Sequence, residues 1–459
     1  NMDLSKAKRG YFVGIGGVGV NALAKFVADF GIQISGSDAK INGLCNELIK
    51  NGAKLGKNPD FFELENADFL VFSSAIPSDN PEIAKAREKD IPVFERHEFL
   101  ARVSNLFGQR VAIAGTHGKT TTTAMLAHIL KSNNVKFAAM IGGESIEFSN
   151  YVNNTGVSQI EDLKDCVFLC EACEYKRNLL ALDPRVSVVL NAECDHPDCY
   201  DDLKSVKATF SKFLQKSSVK IVCENNLELI DKTKKQNSKN SFCVCVENGK
   251  EKRIQCFFKA DGAMVSDGKK IVKLKLKDEG EYNYKNATFA IAAGVACGLN
   301  FENCVHALES YQGVKRRFER ADDIGKTKVY FDFAHHPSEI AEVIKRARNL
   351  GKIMVVFQPH TYSRTKAYLA DFASILGAKR NGVKTVAIMP TYAARERLSD
   401  GVDSDVLFNA IFDKYRKRGV YLLKGAQSTI DFVKSRAKSH DVILMIGAGD
   451  IYDLKDMLR

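Results

Sequence analysis

Short apolar runs recur along the chain, and each ends in glycine or in a polar cluster. Such runs occupy residues 11–13, 69–72, 111–114, 166–170 and 186–190, and again 328–333, 353–357, 385–389 and 442–446. Runs this short, apolar on both faces, predict strands buried inside parallel sheets. Between them the spacing turns helical, with Leu23, Val27 and Phe30 on one face of a first helix and Met125, Leu126, Ile129 and Leu130 on a later one. Alternating strands and helices predict α/β architecture. One stretch differs: from 219 to about 281 the pattern is β-rich, and Val272, Leu274 and Leu276 alternate with Lys273, Lys275 and Lys277 as in a half-exposed strand. The chain divides accordingly into 1–105, 106–318 and 319–459, three α/β units in 459 residues.

Two glycine loops stand at strand ends. After the 111–114 run comes Gly115-Thr116-His117-Gly118-Lys119-Thr120, opening a helix. Strand, glycine loop, Lys-Thr and helix form the arrangement that wraps backbone N–H groups around a nucleotide phosphate. Lys119 would bind the β- and γ-phosphates and the Thr120 hydroxyl would ligate Mg²⁺. The spacing is shorter than the usual Walker pattern, because Ile113 stands where that pattern has glycine. Thr120 to Thr123 open the helix although β-branched residues are mediocre helix formers, so hydroxyls are expected at the phosphate end. A purely structural strand–turn–helix with a capping Thr is the plain alternative. The earlier loop, Gly14-Ile15-Gly16-Gly17-Val18-Gly19, is followed by Ser37 and Asp38 and satisfies the dinucleotide fingerprint. Those glycines report a pyrophosphate near a helix N-terminus, which UDP carries as surely as NAD does.

Chemically capable residues collect just past the other strand ends. Glu171 ends the 166–170 run, and His196 follows the 186–190 run. A carboxylate and an imidazole beside a Lys-Thr loop suit one or two Mg²⁺, although either residue alone would more often be a surface group. Arg316 and Arg317 form a pair that would clamp a phosphate or stay solvated. In the last third the strands end in Ala334-His335-His336, in Gln358-Pro359-His360-Thr361-Tyr362-Ser363-Arg364, in Tyr392 to Glu396, and in Gly447-Ala448-Gly449-Asp450. These clusters read as one rim of a sheet facing a cleft.

Composition narrows the classes. The net charge of +11 favours anionic partners, but basic and acidic residues are interleaved and no RNA-binding aromatic motif appears, so nucleotides suit the chain better than nucleic acid. The longest uncharged apolar stretch, 287–299, is too short to span a bilayer, and no secretory signal is visible. Twelve cysteines in a chain of this length fit free thiols in a reducing cytoplasm. Cys170, Cys173, Cys194 and Cys199 make a poor zinc set, since Cys170 lies inside an apolar run and no second C-x-x-C follows.

Taken in order, GIGGVG, AGTHGKTTT, EACEY, NAECDH, NATFA, GVKRRFE, FDFAHHP, FQPHTYSRT, YAARE and GAGD resemble the Mur ligase family over nearly the whole chain. The resemblance implies an N-terminal Rossmann-like domain binding a UDP-sugar, a central P-loop ATPase domain with a mixed sheet, and a C-terminal Rossmann-like domain. It implies ATP-dependent joining of L-alanine to the carboxylate of UDP-N-acetylmuramate through an acyl phosphate, by a monomer or homodimer. By the same resemblance Gly14, Gly16, Gly17, Val18, Gly19, Ser37, Asp38, Ser73, Ser74 and Ala75 hold the UDP-sugar. Gly115, Thr116, His117, Gly118, Lys119, Thr120, Thr121, Asn286, Arg317 and Asp332 contact ATP. Thr120, Glu171 and His196 ligate the metal, and Lys119, His196, Arg317, His335, His360 and Arg364 serve catalysis.

Tyr282 and Thr361 depart from the family pattern, where histidine and arginine are common. A recycling ligase that attaches a preformed tripeptide to the same UDP-sugar shares most of the motifs. An NAD-binding oxidoreductase would use GIGGVG and Asp38 but leaves GTHGKTTT, Glu171 and His196 without a role. A nucleic-acid-dependent ATPase is the remaining alternative.

Overall fold

The computed structural model describes residues 2–193, 199–231, 242–259, 262–378, 381–394, 396–416 and 419–458. Its strands form three sheets. In the first, β1 (Arg9–Val13), β2 (Gln33–Ser37), β3 (Lys54–Gly56), β4 (Phe69–Phe72) and β5 (Val93–Glu95) are all parallel, in the order β3-β2-β1-β4-β5. The order reverses between β1 and β4, and ligands of open parallel sheets bind at such a switch point. β2 takes in Gly36 and Ser37 at its end. A methyl at position 36 would lie 2.1 Å from the Phe12 carbonyl oxygen of the paired strand, so only glycine lets β1 and β2 close. Gly36→Ala is expected to cost about 2–4 kcal/mol through the forced separation of two core strands. Urea unfolding would register it, and an unchanged midpoint would show that the pairing tolerates a methyl.

The central sheet is mixed. β6 (Gln109–Ala114), β7 (Phe137–Met140), β8 (Tyr151–Asn154), β9 (Val167–Glu171), β10 (Val186–Val189) and β11 (Val219–Cys223) are joined by β12 (Phe242–Glu247), β13 (Lys250–Lys259), β14 (Gly262–Ser266) and β15 (Ile271–Lys273). The strands β11-β10-β6-β9-β7 are parallel, with β8 antiparallel on one edge and the β12–β15 meander on the other. This is the β-rich insertion read from the sequence. Its last strand stops at Lys273, yet Leu274 and Leu276 stay buried while Lys275 and Lys277 stay exposed, so the alternation outlasts the ladder. The helix Glu281–Ala296 covers this sheet with Ala287, Ala290, Ile291 and Ala293, which join the core formed by Ile113, Leu126 and Ile129.

The third sheet contains β16 (Glu319–Arg320), β17 (Lys328–Asp332), β18 (Ile353–Phe357), β19 (Val383–Ile388), β20 (Val420–Leu422) and β21 (Val442–Ile446), ordered β16-β17-β21-β18-β19-β20. All but β16 are parallel. Every residue of β18 and β21 is buried, with one core on each face of the sheet. That explains why these strands read as unbroken apolar runs.

The chain forms two compact units: one holds the first two sheets and ends at Val314, and the other takes residues 199–201 together with the chain from Lys315 onward. Residues 315–318, expected to close the central domain, belong to the second unit. There the Phe318 ring packs on Tyr330 at 4.3 Å and the Phe333 N–H donates to the Arg316 carbonyl. Among the described residues no helix is long and apolar enough to cross a membrane.

Candidate active site

The phosphate loop lies between β6 and the helix Lys119–Ser132. Gly115 and Gly118 both have positive φ, at 137° and 87°, and a Cβ at 118 would lie 2.5 Å from Asn286 Oδ1. Both positions therefore need glycine, and Asn286 stands directly against the loop. The loop is also fastened to the segment leaving β10. His117 N–H donates to Asn191 Oδ1 at 2.8 Å, and Asn191 Nδ2 donates back to the His117 carbonyl at 2.9 Å. Thr116 Oγ1 accepts from the Glu193 N–H at 2.9 Å. Among the described residues no side chain caps the helix at Gly118, which leaves its first N–H groups to an anion.

Lys119 is largely buried, and its ammonium donates to the carbonyls of Gly115 (2.5 Å) and Thr116 (3.1 Å) and to Glu174 (3.1 Å). Burial by itself would lower its pKa, but the charge of Glu174, with Glu171 nearby, holds it above the ordinary lysine value. The side chain is thus a fixed cation folded over its own loop. Glu171, the last residue of β9, accepts from the Gly142 N–H at 2.5 Å, while a Cβ on Gly143 would lie 3.2 Å from the Thr120 methyl. The loop after β7 therefore brings Glu171 and Thr120 to one place. The threonine run is used differently from the expectation. Thr121 is buried, and Thr122 and Thr123 are fully buried with hydroxyls that have no protein partner among the described residues. Those two hydroxyls do not serve the phosphate end, because helical rotation turns them into the core.

At the switch point of the first sheet, the loop Gly14 to Gly19 follows β1 and Ser73, Ser74 and Ala75 follow β4. A Cβ on Gly14 would stand 3.1 Å from Ser73 Cβ. Gly17 caps the helix Val18–Asp29 with its backbone alone. Asp38 braces this loop: Oδ2 accepts from the Gly16 N–H at 2.8 Å and Oδ1 from the Lys40 N–H at 2.9 Å. Ser37 is buried and its hydroxyl donates to Glu82 at 2.6 Å.

The chain matches three family descriptions in succession: "Mur ligase family, catalytic domain" over 10–107, "Mur ligase middle domain" over 113–294, and "Mur ligase, glutamate ligase domain" over 316–449. It is 33% identical to the UDP-N-acetylmuramate–L-alanine ligase of Acetivibrio thermocellus, over 99% of this chain and 96% of that protein. The chain belongs to the Mur ligase family. A Clostridium botulinum protein of the same description is 34% identical over 98% of this chain and 97% of its own. Among solved structures, the UDP-N-acetylmuramate-alanine ligase MurC of Thermotoga maritima aligns with a TM-score of 0.75 at 25% identity, covering 98% of each chain. The fold is also that of the murein peptide ligase of Psychrobacter arcticus, with a TM-score of 0.72, 21% identity and 98% coverage of each.

In the second unit of this Mur ligase, three strand ends converge. Asp332 ends β17, and its oxygens accept from the Phe318 N–H (2.7 Å) and the Ala334 N–H (2.8 Å). Glu339 accepts from the His335 N–H at 3.1 Å and pairs with Arg317 at 3.5 Å. The His335 and His360 rings lie 5.6 Å apart, His360 stacks on Tyr392 at 5.6 Å, and Arg364 Nη1 reaches His360 Nδ1 at 3.5 Å. Thr361 holds φ at 65°, a costly value for a β-branched residue, while its N–H donates to the Tyr392 carbonyl at 2.9 Å. His335, His360 and Arg364 are thus brought together in this unit, and Arg317 stands beside them through Glu339.

Burial pushes the Asp332 carboxyl up to about 6, against the opposing pull of Arg317 and the two N–H groups. A folded pKa above the unfolded value means that the folded chain keeps this proton where the unfolded chain has released it. The stability Asp332 contributes is complete below about pH 4 and is lost as pH rises through 6. Asp332→Asn should remove this dependence, so the wild type would lose about 1 kcal/mol relative to the variant between pH 5 and 7. Urea unfolding of both proteins at the two pH values would read the difference, and a constant gap would contradict it.

Sequence reasoning passed over Glu174, Asn191, Gly142 and Gly143, and Glu339. The signal for Glu174 was its place three residues after Glu171 in the same strand-end loop. The Gly-Gly pair closing an apolar run was the signal for 142 and 143. His196 lies outside the described residues.

Proposed function

We propose that this Mur ligase joins L-alanine to the lactyl carboxylate of UDP-N-acetylmuramate, consuming ATP through an acyl phosphate and releasing ADP and phosphate. The observation that carries the reading is the Lys119 cradle beside Glu171 on the rim of the central sheet. Full-length likeness to UDP-N-acetylmuramate–L-alanine ligases supports the substrates. Residues 1–105 hold the UDP-sugar at the β1–β4 switch point, 106–314 hold ATP, and 315–459 supply the amino-acid side.

A carboxylate is a poor acylating agent, so its oxygen first attacks the γ-phosphorus of ATP and the β–γ bond breaks. The L-alanine amine then attacks the acyl carbon, loses a proton, and phosphate leaves. Lys119 stabilises charge spreading over the transferring group, and the uncapped helix N-terminus receives the nucleotide phosphates. Arg317 and Arg364 orient the carboxylates, and the His335 or His360 imidazole accepts the amine proton. Glu171 and Thr120, converging at the 142–143 loop, offer the oxygen donors Mg²⁺ prefers, with His196 as a further ligand. When bound, one or two Mg²⁺ supply neutralisation of phosphate charge. The described cysteines are all free thiols, which supports a cytoplasmic location.

The test is ADP release from enzyme, ATP and UDP-N-acetylmuramate on addition of L-alanine or of a preformed tripeptide. Release with alanine is expected; release with the tripeptide alone would transfer the reading to a recycling ligase.

A further inference from the structure

His128 is buried on the phosphate-loop helix, eight residues and about 12 Å along the axis from Thr120. Neither the fold's core nor the proposed chemistry requires a histidine there. Its Nε2 lies 2.9 Å from the Ala307 carbonyl and 2.9 Å from Ser310 Oγ, whose own proton is donated to the same carbonyl. With both neighbours acting as acceptors, Nε2 must carry a proton. Its Nδ1 lies 2.5 Å from Glu147, whose other oxygen takes the Lys131 ammonium at 2.9 Å. Burial opposes ionisation of Glu147, but Lys131 and His128 hold its carboxyl below the ordinary value. The imidazole thus bridges Glu147 to the 307–310 turn.

Glu147 belongs to the 142–148 loop. At the near end of that loop the Gly142 N–H seats Glu171 and Gly143 lies against Thr120. At the far end Ser145 and Phe148 close a turn, Ile146 N–H donates to the Gly313 carbonyl at 3.1 Å, and Ser145 pairs with Val314. The loop thus runs along one helix, with Thr120 at its start and His128 at its end. The other groups facing the imidazole are the Tyr311 ring, 5.7 Å away, and beyond it Asp278, whose charge acts on Tyr311. Glu147 is the carboxylate in hydrogen-bond contact with the ring.

We propose that His128, bonded through Nδ1 to Glu147 and through Nε2 to the Ala307 carbonyl and Ser310, holds the 142–148 loop in place along the helix. His128 and Glu147 are then positioning residues for Glu171 and Thr120. This deepens the ligase reading and rests on it only for the catalytic consequence.

The closing experiment combines two readouts on the full chain. In His128→Gln the 142–148 amides should exchange several-fold faster than in the wild type. Hydrogen exchange should show the 142–148 amides losing protection at least tenfold in Glu147→Gln, with the phosphate-loop helix unchanged. Lys131→Met, which removes only the half-exposed partner of Glu147, should leave the loop amides within about threefold of wild type. In Glu147→Gln the Mg²⁺ concentration for half-maximal ADP release should rise several-fold, while kcat at saturating Mg²⁺ stays within about twofold. A loop equally protected in Glu147→Gln or in His128→Gln would overturn the proposal. If exchange comes out as expected while the wild type releases no ADP with alanine, the ligase reading fails and the positioning role stands.

Discussion

Replacing Lys119 by methionine is expected to lower alanine-dependent ADP release by about three orders of magnitude, the loss typical when a preorganised charge is removed from a transition state. The geometry makes a further demand on how that result is read. Lys119 is held by two loop carbonyls and by Glu174, whose side chain is even more buried than the lysine's. The single change therefore leaves a buried carboxylate without its cation, and stability should fall by about 3 kcal/mol. In the double variant Lys119→Met, Glu174→Gln that charge is gone, so most of the stability should return while activity does not. Thermal unfolding and ADP release on the three proteins separate the two effects. Activity that recovered with stability in the double variant would mean that Lys119 acts only as structural support.

Glu171→Gln is expected to lower ADP release by about a hundredfold or more and to raise the Mg²⁺ requirement about tenfold. The change is nearly isosteric, and the glutamine oxygen still accepts the Gly142 N–H. The loop after β7 and the sheet edge should therefore keep their places, leaving the lost negative charge as the main difference. A Mg²⁺ titration of ADP release measures it. An unshifted titration with normal activity would remove Glu171 from the metal site.

Much of this protein is legible in its sequence because the signals are local. The runs 111–114, 353–357 and 442–446 are apolar on both faces, and β6, β18 and β21 are buried on both faces. The Gly115 and Gly118 positions require a positive φ that only glycine adopts cheaply, so the phosphate loop announces itself. Asp38 shows where such reasoning stops. Its distance from Gly19 fits a ribose-binding acid, but its carboxylate is occupied by the Gly16 and Lys40 amides, a contact that depends on how tightly β1 and β2 bring the two loops together. Thr122 and Thr123 are a second case, since a hydroxyl near a phosphate loop and a hydroxyl turned into a core look alike in one dimension.

The sequence by itself determined the elements, the two glycine loops, the family and the strand ends that carry polar chemistry. Each of these follows from short-range spacing, backbone conformation or an ordered set of motifs. Tertiary structure alone decided the rest. The order β10-β6-β9-β7 places Asn191 on one side of the phosphate loop and Glu171 with the 142–143 loop on the other. The turn after β9 carries Glu174 back to Lys119, and residues 315–318 pack with the second unit. Which strands become neighbours is set by the burial of whole faces across long sequence separations, and no local pattern encodes that choice.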